Sequence, residues 1–389
     1  MISLSEARSL ISMHVHRMPD GSLPLEQARG YVLSEDVLAD SSYPSGNRSM
    51  MDGYAIRGDA IAGKFRVIES IAASDVPSTS LSHGEAVRVS TGALLPEGSG
   101  RVVMQEHVQR EGDALSIEQF EEELNIRREG SEAKRGDLVL AAGSKLGPAE
   151  LAVLAQVGVT VPRVVKRPCV RHIATGNEIV SPEFIPALGQ IRDSNSTLLN
   201  GLLGEFGLNI GHSHHQRDNL DQLTRSADVP CDLLLISGGA SVGDHDHGAE
   251  ALRRVGFTIH FNKVNLRPGK PLTFATRGRQ VAFVIPGNPV SHFVTWHVAI
   301  RAAAELLIGR VPEWNLAQAE LVGGEMLKAN ARETFWPARA KFKDARLLVA
   351  PQIWSSGNAF ALTDVNALVR VASGALPGKM AETLLLGVP

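Results

Sequence analysis

The chain of 389 residues is 43% hydrophobic and 21% charged, with a formal net charge of −3; this implies about two to four domains and excludes recruitment of nucleic acid or a membrane surface by a global basic field. No apolar run approaches the ~20 residues of a membrane span, and the opening residues lack the basic-then-apolar pattern of a leader. Cys169 and Cys231 are the only cysteines and adjoin predicted strands, so they are expected to be buried thiols of a cytoplasmic protein rather than a disulfide or metal pair.

Residues 3–40 read as two short helices and a strand. Ser3 suits the cap of the first, with Glu6 three residues on and Leu4, Leu10 and Ile11 near one face. The second starts at Leu25 and stops at Gly30. Residues 41–146 read as β-rich, with strand-like pieces at 65–68, 86–89, 101–105 and 137–141. Asp52-Gly53 follows two methionines and precedes Tyr54; it reads either as a hairpin turn or as a turn that presents a working carboxylate at a strand edge. The acidic run 118–123 reads as a solvated face. Residues 148–158 carry a helix pattern, with Pro148 in the first turn and Gly158 at the stop. The stretch 162–168 reads as a linker at a domain boundary.

Residues 169–310 alternate strand and helix, the pattern of an α/β layer with a parallel sheet. Strands are expected at 169–174, 233–236, 257–264 and 280–285, and helices at 198–206, 248–255 and up to 307. The run Leu233-Leu234-Leu235-Ile236 is continuously apolar, as a strand buried on both faces requires. It then breaks into Ser237-Gly238-Gly239-Ala240-Ser241-Val242-Gly243, a change that suits backbone brought close to a ligand. Other strands end in Thr175-Gly176-Asn177-Glu178, Arg267-Pro268-Gly269-Lys270-Pro271 and Pro286-Gly287-Asn288-Pro289-Val290-Ser291. Ligands of open α/β sheets bind outside the carboxyl ends of the strands, so these loops should converge. Residues 312–389 revert to β-like alternation.

Three chemistries compete for these loops. Gly239 to Gly243 matches G-x-S-x-G, a serine hydrolase reading with Ser241 as nucleophile and His292 or His297 as partner. The polar Asp244-His245-Asp246-His247 that follows is a poor start for the packed helix this motif needs. His212, His214 and His215 match no zinc spacing; a hard cation such as Mg²⁺, held by Asp246 together with ligand phosphates, suits the residues better. Lys263, Arg267 and Lys270, in a loop stiffened by Pro268 and Pro271, suit a small oxyanion held in fixed geometry.

Seven motifs in order resemble the molybdopterin molybdenumtransferases, the MoeA family: Met51-Asp52-Gly53-Tyr54-Ala55, Ser90-Thr91-Gly92-Ala93, Ala174 to Glu178, Gly189-Gln190-Ile191-Arg192-Asp193-Ser194-Asn195, Ser237 to Gly243, Arg267 to Pro271 and Pro286 to Ser291. The resemblance implies an α/β plus β multidomain fold. Its parts are a discontinuous helical and extended domain (1–44 with 147–168), an inserted β-rich domain (45–146), a central α/β domain with a mostly parallel sheet (169–311) and a C-terminal β domain (312–389). It implies insertion of molybdate into adenylylated molybdopterin with release of AMP, aided by Mg²⁺, in a homodimer whose site is shared between subunits. A molybdopterin adenylyltransferase and molybdoenzyme maturation proteins are the implied handover partners.

Carried over by motif, Asp52 and Thr91 would face the partner's cleft, and Glu178, Asp193, Asp218 and Asp246 would line the nucleotide–pterin end with Gly238, Gly239, Ser241 and Gly243. Arg267, Lys270, Pro271 and Ser291 would hold molybdate, with Arg339 and Ser356 closing over it and Lys263 nearby on its strand. The chain departs from the family pattern at Asn177, Ser45-Gly46, Glu132 and Arg267, which keeps a non-catalytic pterin-binding scaffold as the alternative.

Overall fold

A computed structural model describes residues 1–238 and 247–387. The chain divides into two compact units: Met1–Ser22, Gly30–Ser34 and the residues from Arg163 onward form the larger, and Leu23–Arg29 with Glu35–Pro162 the smaller.

The larger unit is built on a six-stranded sheet in the order Ile210–Gln216, Val170–Thr175, Leu233–Ser237, Gln280–Ile285, Thr273–Arg277, Thr258–Phe261. The first four strands are parallel. The central strand shows why its sequence is uniformly apolar. Leu233 and Leu235 enter one core with Leu199, Phe283 and Trp296, while Leu234 and Ile236 enter another with Leu223 and Leu252. Alternate residues thus go to opposite faces and both faces are covered by helices. Each such side chain contributes about 1.5–3 kcal/mol through burial.

Thr273–Arg277 is a strand the sequence reading missed, because its second half is polar. It runs antiparallel to both neighbours, so Thr258–Phe261 points the same way as Gln280–Ile285 and its following loop emerges at the same end of the sheet. That strand was expected to reach residue 264 but stops at Phe261, so Lys263 lies just beyond it, exposed. The C-terminal strands form a closed barrel: Glu333–Lys343 pairs with both Arg346–Pro351 and Ala367–Val371, and the ring is completed by Leu316–Leu321 and Met380–Leu385.

The first helix, Leu4–His14, has the expected capping box, with the Ser3 hydroxyl accepting from the Glu6 backbone and the Glu6 carboxylate accepting from the Ser3 backbone. The expected linker at 162–168 is instead partly a strand: Arg163–Val165 pairs with Asp20–Ser22, and Val164 and Val165 are buried. Cys231 is buried as expected, whereas Cys169 is exposed; both thiols are free.

In the smaller unit a six-stranded sheet runs Ser99–Met104, Gly53–Arg57, Glu85–Val89, Gly63–Ile71, Ala114–Ile117, Gln109–Glu111. Asp52-Gly53 is not a hairpin turn. Gly53 opens a strand and lies so close to its neighbour that a Cβ there would sit 2.1 Å from the Val103 carbonyl oxygen. The expected helix from Leu25 is a single 3-10 turn, Leu25–Gln27. The helix Pro148–Gln156 is followed by Gly158 at φ +74°, the left-handed stop that glycine permits. Glu121, read as part of a solvated run, is half-buried and accepts hydrogen bonds from Asn125 and, through its carbonyl, Arg101. Among the described residues no helix is long and apolar enough to cross a membrane.

Candidate functional site

A cavity of about 500 Å³ opens at the carboxyl ends of the parallel strands, where strand-end loops of such sheets meet. Each strand contributes to it. Thr175, Gly176 and Glu178 come from the end of Val170–Thr175 and its loop, Asp218 from beyond Ile210–Gln216, Ser237 and Gly238 from the end of Leu233–Ser237, and Gly287 and Asn288 from beyond Gln280–Ile285; Asp193 and Asn195 come from the start of the helix Ser194–Gly204. Gly238 has φ +85° and a Cβ there would meet the Thr175 carbonyl oxygen at 2.5 Å. Only glycine lets the two strand ends close up.

The expected helix at 198–206 begins earlier, at Ser194, and this changes the meaning of Asp193. Its Oδ1 accepts from the Ser196 backbone at 2.9 Å as the helix cap, and its Oδ2 accepts from the Ser196 hydroxyl. Glu178 and Asp218 both line the cavity. Asn177 stands where the family pattern has Asp, and its Oδ1 accepts from the Asp218 backbone at 3.3 Å, a bond either side chain makes. Asn195 was not singled out from the sequence. Its Nδ2 donates to the Gly287 carbonyl at 2.6 Å, and its buried Oδ1 has no partner among the described residues.

Beneath the cavity floor lie two buried imidazoles, His292, named above only as a possible hydrolase partner, and His172, which sequence reasoning missed. His172 contacts the Ser237 hydroxyl through Nε2 at 2.6 Å, and Ser237 contacts His292 Nε2 at 3.2 Å. Burial pushes His172 down to about 3 and His292 down to about 4, so both are neutral at pH 7. With Nδ1 also engaged by the Pro286 carbonyl, His292 is not free to serve as a base for Ser241. His297, the other candidate partner, is buried with both nitrogens unpartnered among the described residues.

A second cluster lies where the sheet meets the barrel. Leu266–Arg267 pairs with Glu333 and Thr334, and the Arg267 guanidinium lies 5.7 Å from the Trp354 ring centroid. Gly269, at φ +111°, packs against Thr295, on the same helix as the buried Ser291. The Val290 backbone donates to the Ser356 carbonyl at 3.1 Å. Lys270 and Pro271 complete this loop, tied back by a bond from the Val264 backbone to the Lys270 carbonyl at 2.9 Å. Arg339 is held through one guanidinium nitrogen by Asp364 at 2.6 Å, which leaves its other N–H groups as donors. The cluster and the cavity share the 286–291 loop: Asn288 lines the cavity and lies against Gly357, next to Ser356.

Asp52 and Thr91 belong to the smaller unit and are paired there. The two Thr91 hydrogen bonds, the backbone one foremost, hold the Asp52 carboxyl below the usual carboxylate range. Gly239, Ser241, Gly243 and Asp246 lie outside the described residues. Among the described residues no cluster of three or more His, Cys, Asp or Glu could hold a metal ion, so the surface histidines His212, His214 and His215 are not one.

Comparison with known proteins adds an independent line. Residues 2–158 match the model of the MoeA N-terminal region (domain I and II), and residues 171–305 that of a probable molybdopterin binding domain. A molybdopterin molybdenumtransferase of Staphylococcus aureus is 32% identical, covering 98% of this chain and 94% of that protein. One of Staphylococcus epidermidis is 31% identical over 96% and 92%. The crystal structure of a molybdopterin biosynthesis MoeA protein from Pyrococcus horikosii superposes with a TM-score of 0.86 at 25% identity, over 100% of this chain and 99% of that one.

Proposed function

The chain belongs to the MoeA family of molybdopterin molybdenumtransferases, and from that premise we propose how its cavity and basic cluster divide the work. The protein is a transferase of molybdenum cofactor biosynthesis that inserts molybdenum into molybdopterin. The observation that carries the assignment of parts is the shared 286–291 loop, which joins a carboxylate- and amide-lined cavity to a cluster bearing Arg267, Lys270 and Ser291.

In this reading the substrate is adenylylated molybdopterin, with its nucleotide–pterin part in the cavity against Glu178, Asp218, Asn195 and the backbone of Gly238. Molybdate is a dianion and is met by Arg267 and Lys270, with the Ser291 and Ser356 hydroxyls completing the shell. Trp354 lies within cation–π range of the Arg267 guanidinium. The dithiolene of the pterin supplies sulfur to the metal, so no cysteine is needed there. Insertion is coupled to release of AMP, and positioned cations stabilise the charge that develops on the leaving phosphate.

A hard cation fits the donor set. The described carboxylates do not form a metal cage by themselves, yet Mg²⁺ needs only one or two carboxylates beside substrate phosphate oxygens, and Glu178 and Asp218 both line the cavity. Its chemistry there is charge neutralisation on phosphate.

The working unit in this reading is a cytoplasmic homodimer in which Asp52 and Thr91 of one subunit complete the other's cleft. The exposed Met50 and Met51 beside Asp52 are the kind of adaptable apolar surface that suits such an interface. Incubating the protein with adenylylated molybdopterin, molybdate and Mg²⁺ tests the proposal. AMP appearing only when molybdate is present supports it; binding of the pterin without AMP release leaves the scaffold reading in its place.

A further inference from the structure

The polar chain under the cavity floor has a direction that the geometry alone dictates. At one end, His292 Nδ1 lies 3.1 Å from the Pro286 carbonyl oxygen, which can only accept. His292 therefore carries its proton on Nδ1, and a neutral imidazole then leaves Nε2 as an acceptor. The Ser237 hydroxyl, 3.2 Å away, must donate to it. With its proton so used, Ser237 Oγ accepts from His172 Nε2–H at 2.6 Å. His172 Nδ1 is then an acceptor in turn, and two hydroxyls are near it. Ser196 gives its proton to Asp193, which leaves the Ser213 hydroxyl, at 3.1 Å, as the donor.

We propose that Ser213, His172, Ser237 and His292 form one oriented, uncharged hydrogen-bond relay that positions the Ser237–Gly238 and Pro286–Asn288 loops around the substrate cavity. Every member lies on a different element of the sheet end. Ser213 is on the edge strand, His172 on its neighbour, Ser237 at the tip of the central strand, and His292 on the helix Pro289–Thr295 that follows the fourth parallel strand. His172 and His292 are fully buried and Ser237 is 3% exposed, whereas Ser213 is exposed, so breaking either link to Ser237 leaves a polar atom without solvent to replace its partner. Ser237 lines the cavity, yet its proton and a lone pair are both committed inward. It is a positioning residue, not a nucleophile. The next backbone amide, Gly238, bonds to the Ile285 carbonyl at 3.1 Å, which carries the constraint from one loop to the other.

Nitrogen-15 NMR of the wild-type protein at pH 7 reads the relay directly, with resonances assigned by His172→Gln and His292→Asn variants. The expected result is two neutral histidines in opposite tautomers, His172 protonated on Nε2 and His292 on Nδ1. Either ring charged, or both in the same tautomer, overturns the proposal. Ser237→Ala is expected to speed amide exchange at Gly238, whose N–H is bonded to the Ile285 carbonyl, about tenfold, the loss that one buried hydrogen bond of about 1.4 kcal/mol represents. Unchanged exchange at Gly238 overturns it. The activity arm rests on the insertase reading. There Ser237→Ala should lower kcat/KM for AMP release about tenfold, mainly through KM, with His172→Gln, which keeps a donor, less affected than His172→Ala. Equal loss in the two His172 variants, or a loss confined to kcat, counts against a positioning role. A wild-type protein that releases no AMP refutes the insertase reading alone, and the tautomers and exchange rates then decide on the relay.

Discussion

Thr91 donates twice to a single oxygen of Asp52, through its backbone N–H at 2.6 Å and its hydroxyl at 3.0 Å. The second carboxylate oxygen has no hydrogen bond among the described residues, so the pair presents a fixed, ionised carboxylate with one face open. Thr91→Val removes the hydroxyl bond and keeps the stronger backbone one. The Asp52 pKa should rise toward the ordinary carboxylate value without reaching it, as a carbon-13 carboxyl titration would register. If Asp52 works in the cleft, Asp52→Asn should cost more AMP release than Thr91→Val, and Thr91→Ser should be nearly silent.

Gly269 is a tight point of the Arg267–Pro271 loop. Its φ of +111° disfavours any side chain, and a Cβ would lie 2.4 Å from Thr295 Cγ2. Gly269→Ala should push the Arg267–Lys270 loop away from the Ser291 helix, destabilise the protein by about 1–3 kcal/mol through overpacking, and raise the molybdate concentration needed for half-maximal AMP release. A variant with unaltered molybdate dependence would separate this loop from oxyanion binding.

His297 sits in a π-helical turn, Trp296–Ile300, edge-on to Phe293, with neither nitrogen partnered among the described residues. Burying an unsatisfied polar group costs about 1–3 kcal/mol. His297→Leu, of similar volume, should therefore raise the unfolding free energy by about that amount in urea titration. A decrease would mean the imidazole serves an interaction that the fold alone does not display.

The acid limb of stability follows from the same buried rings. Burial lowers His172 and His297 to about 3 and His292 to about 4, whereas in the unfolded chain they titrate near about 6.5. Between those values the unfolded state binds more protons, so stability rises with pH there. The contribution is fully present above about 6.5 and is lost as pH falls toward 4 and below, with a slope of up to about 1.4 kcal/mol per pH unit for each ring. Denaturation at pH 5 and 7 should show the protein weaker at pH 5, and His297→Leu should make that difference smaller.

Local and periodic signals were the legible ones. The Ser3–Glu6 cap, the continuous run of the central strand and the glycine-rich loops follow from a few neighbouring residues, and the motif order pointed to the family. The relay was not legible, because its bonds join residues 65 and 55 positions apart. A histidine in an apolar strand does not announce which hydroxyl it will meet. Asp193 was carried over by motif as a site residue; its second task, capping the helix, was hidden because the helix start was placed at Leu198, beyond four polar residues. The Thr273–Arg277 strand was hidden in the same way by its polar end.

The position of Ile210–Gln216 at the margin of the six-stranded sheet gives the three histidines on it another meaning. The C-terminal barrel is closed and leaves no free strand margin, but this strand keeps one row of backbone donors and acceptors that a second polypeptide could zip onto. His212 and His215 are exposed there, and His214 is tied to Ser226. Bulky, wettable rings on that strand make its margin a poor template for fibrillar stacking. Substituting valine at 212 and 215 should leave the fold in place and shorten the lag before aggregation on prolonged incubation.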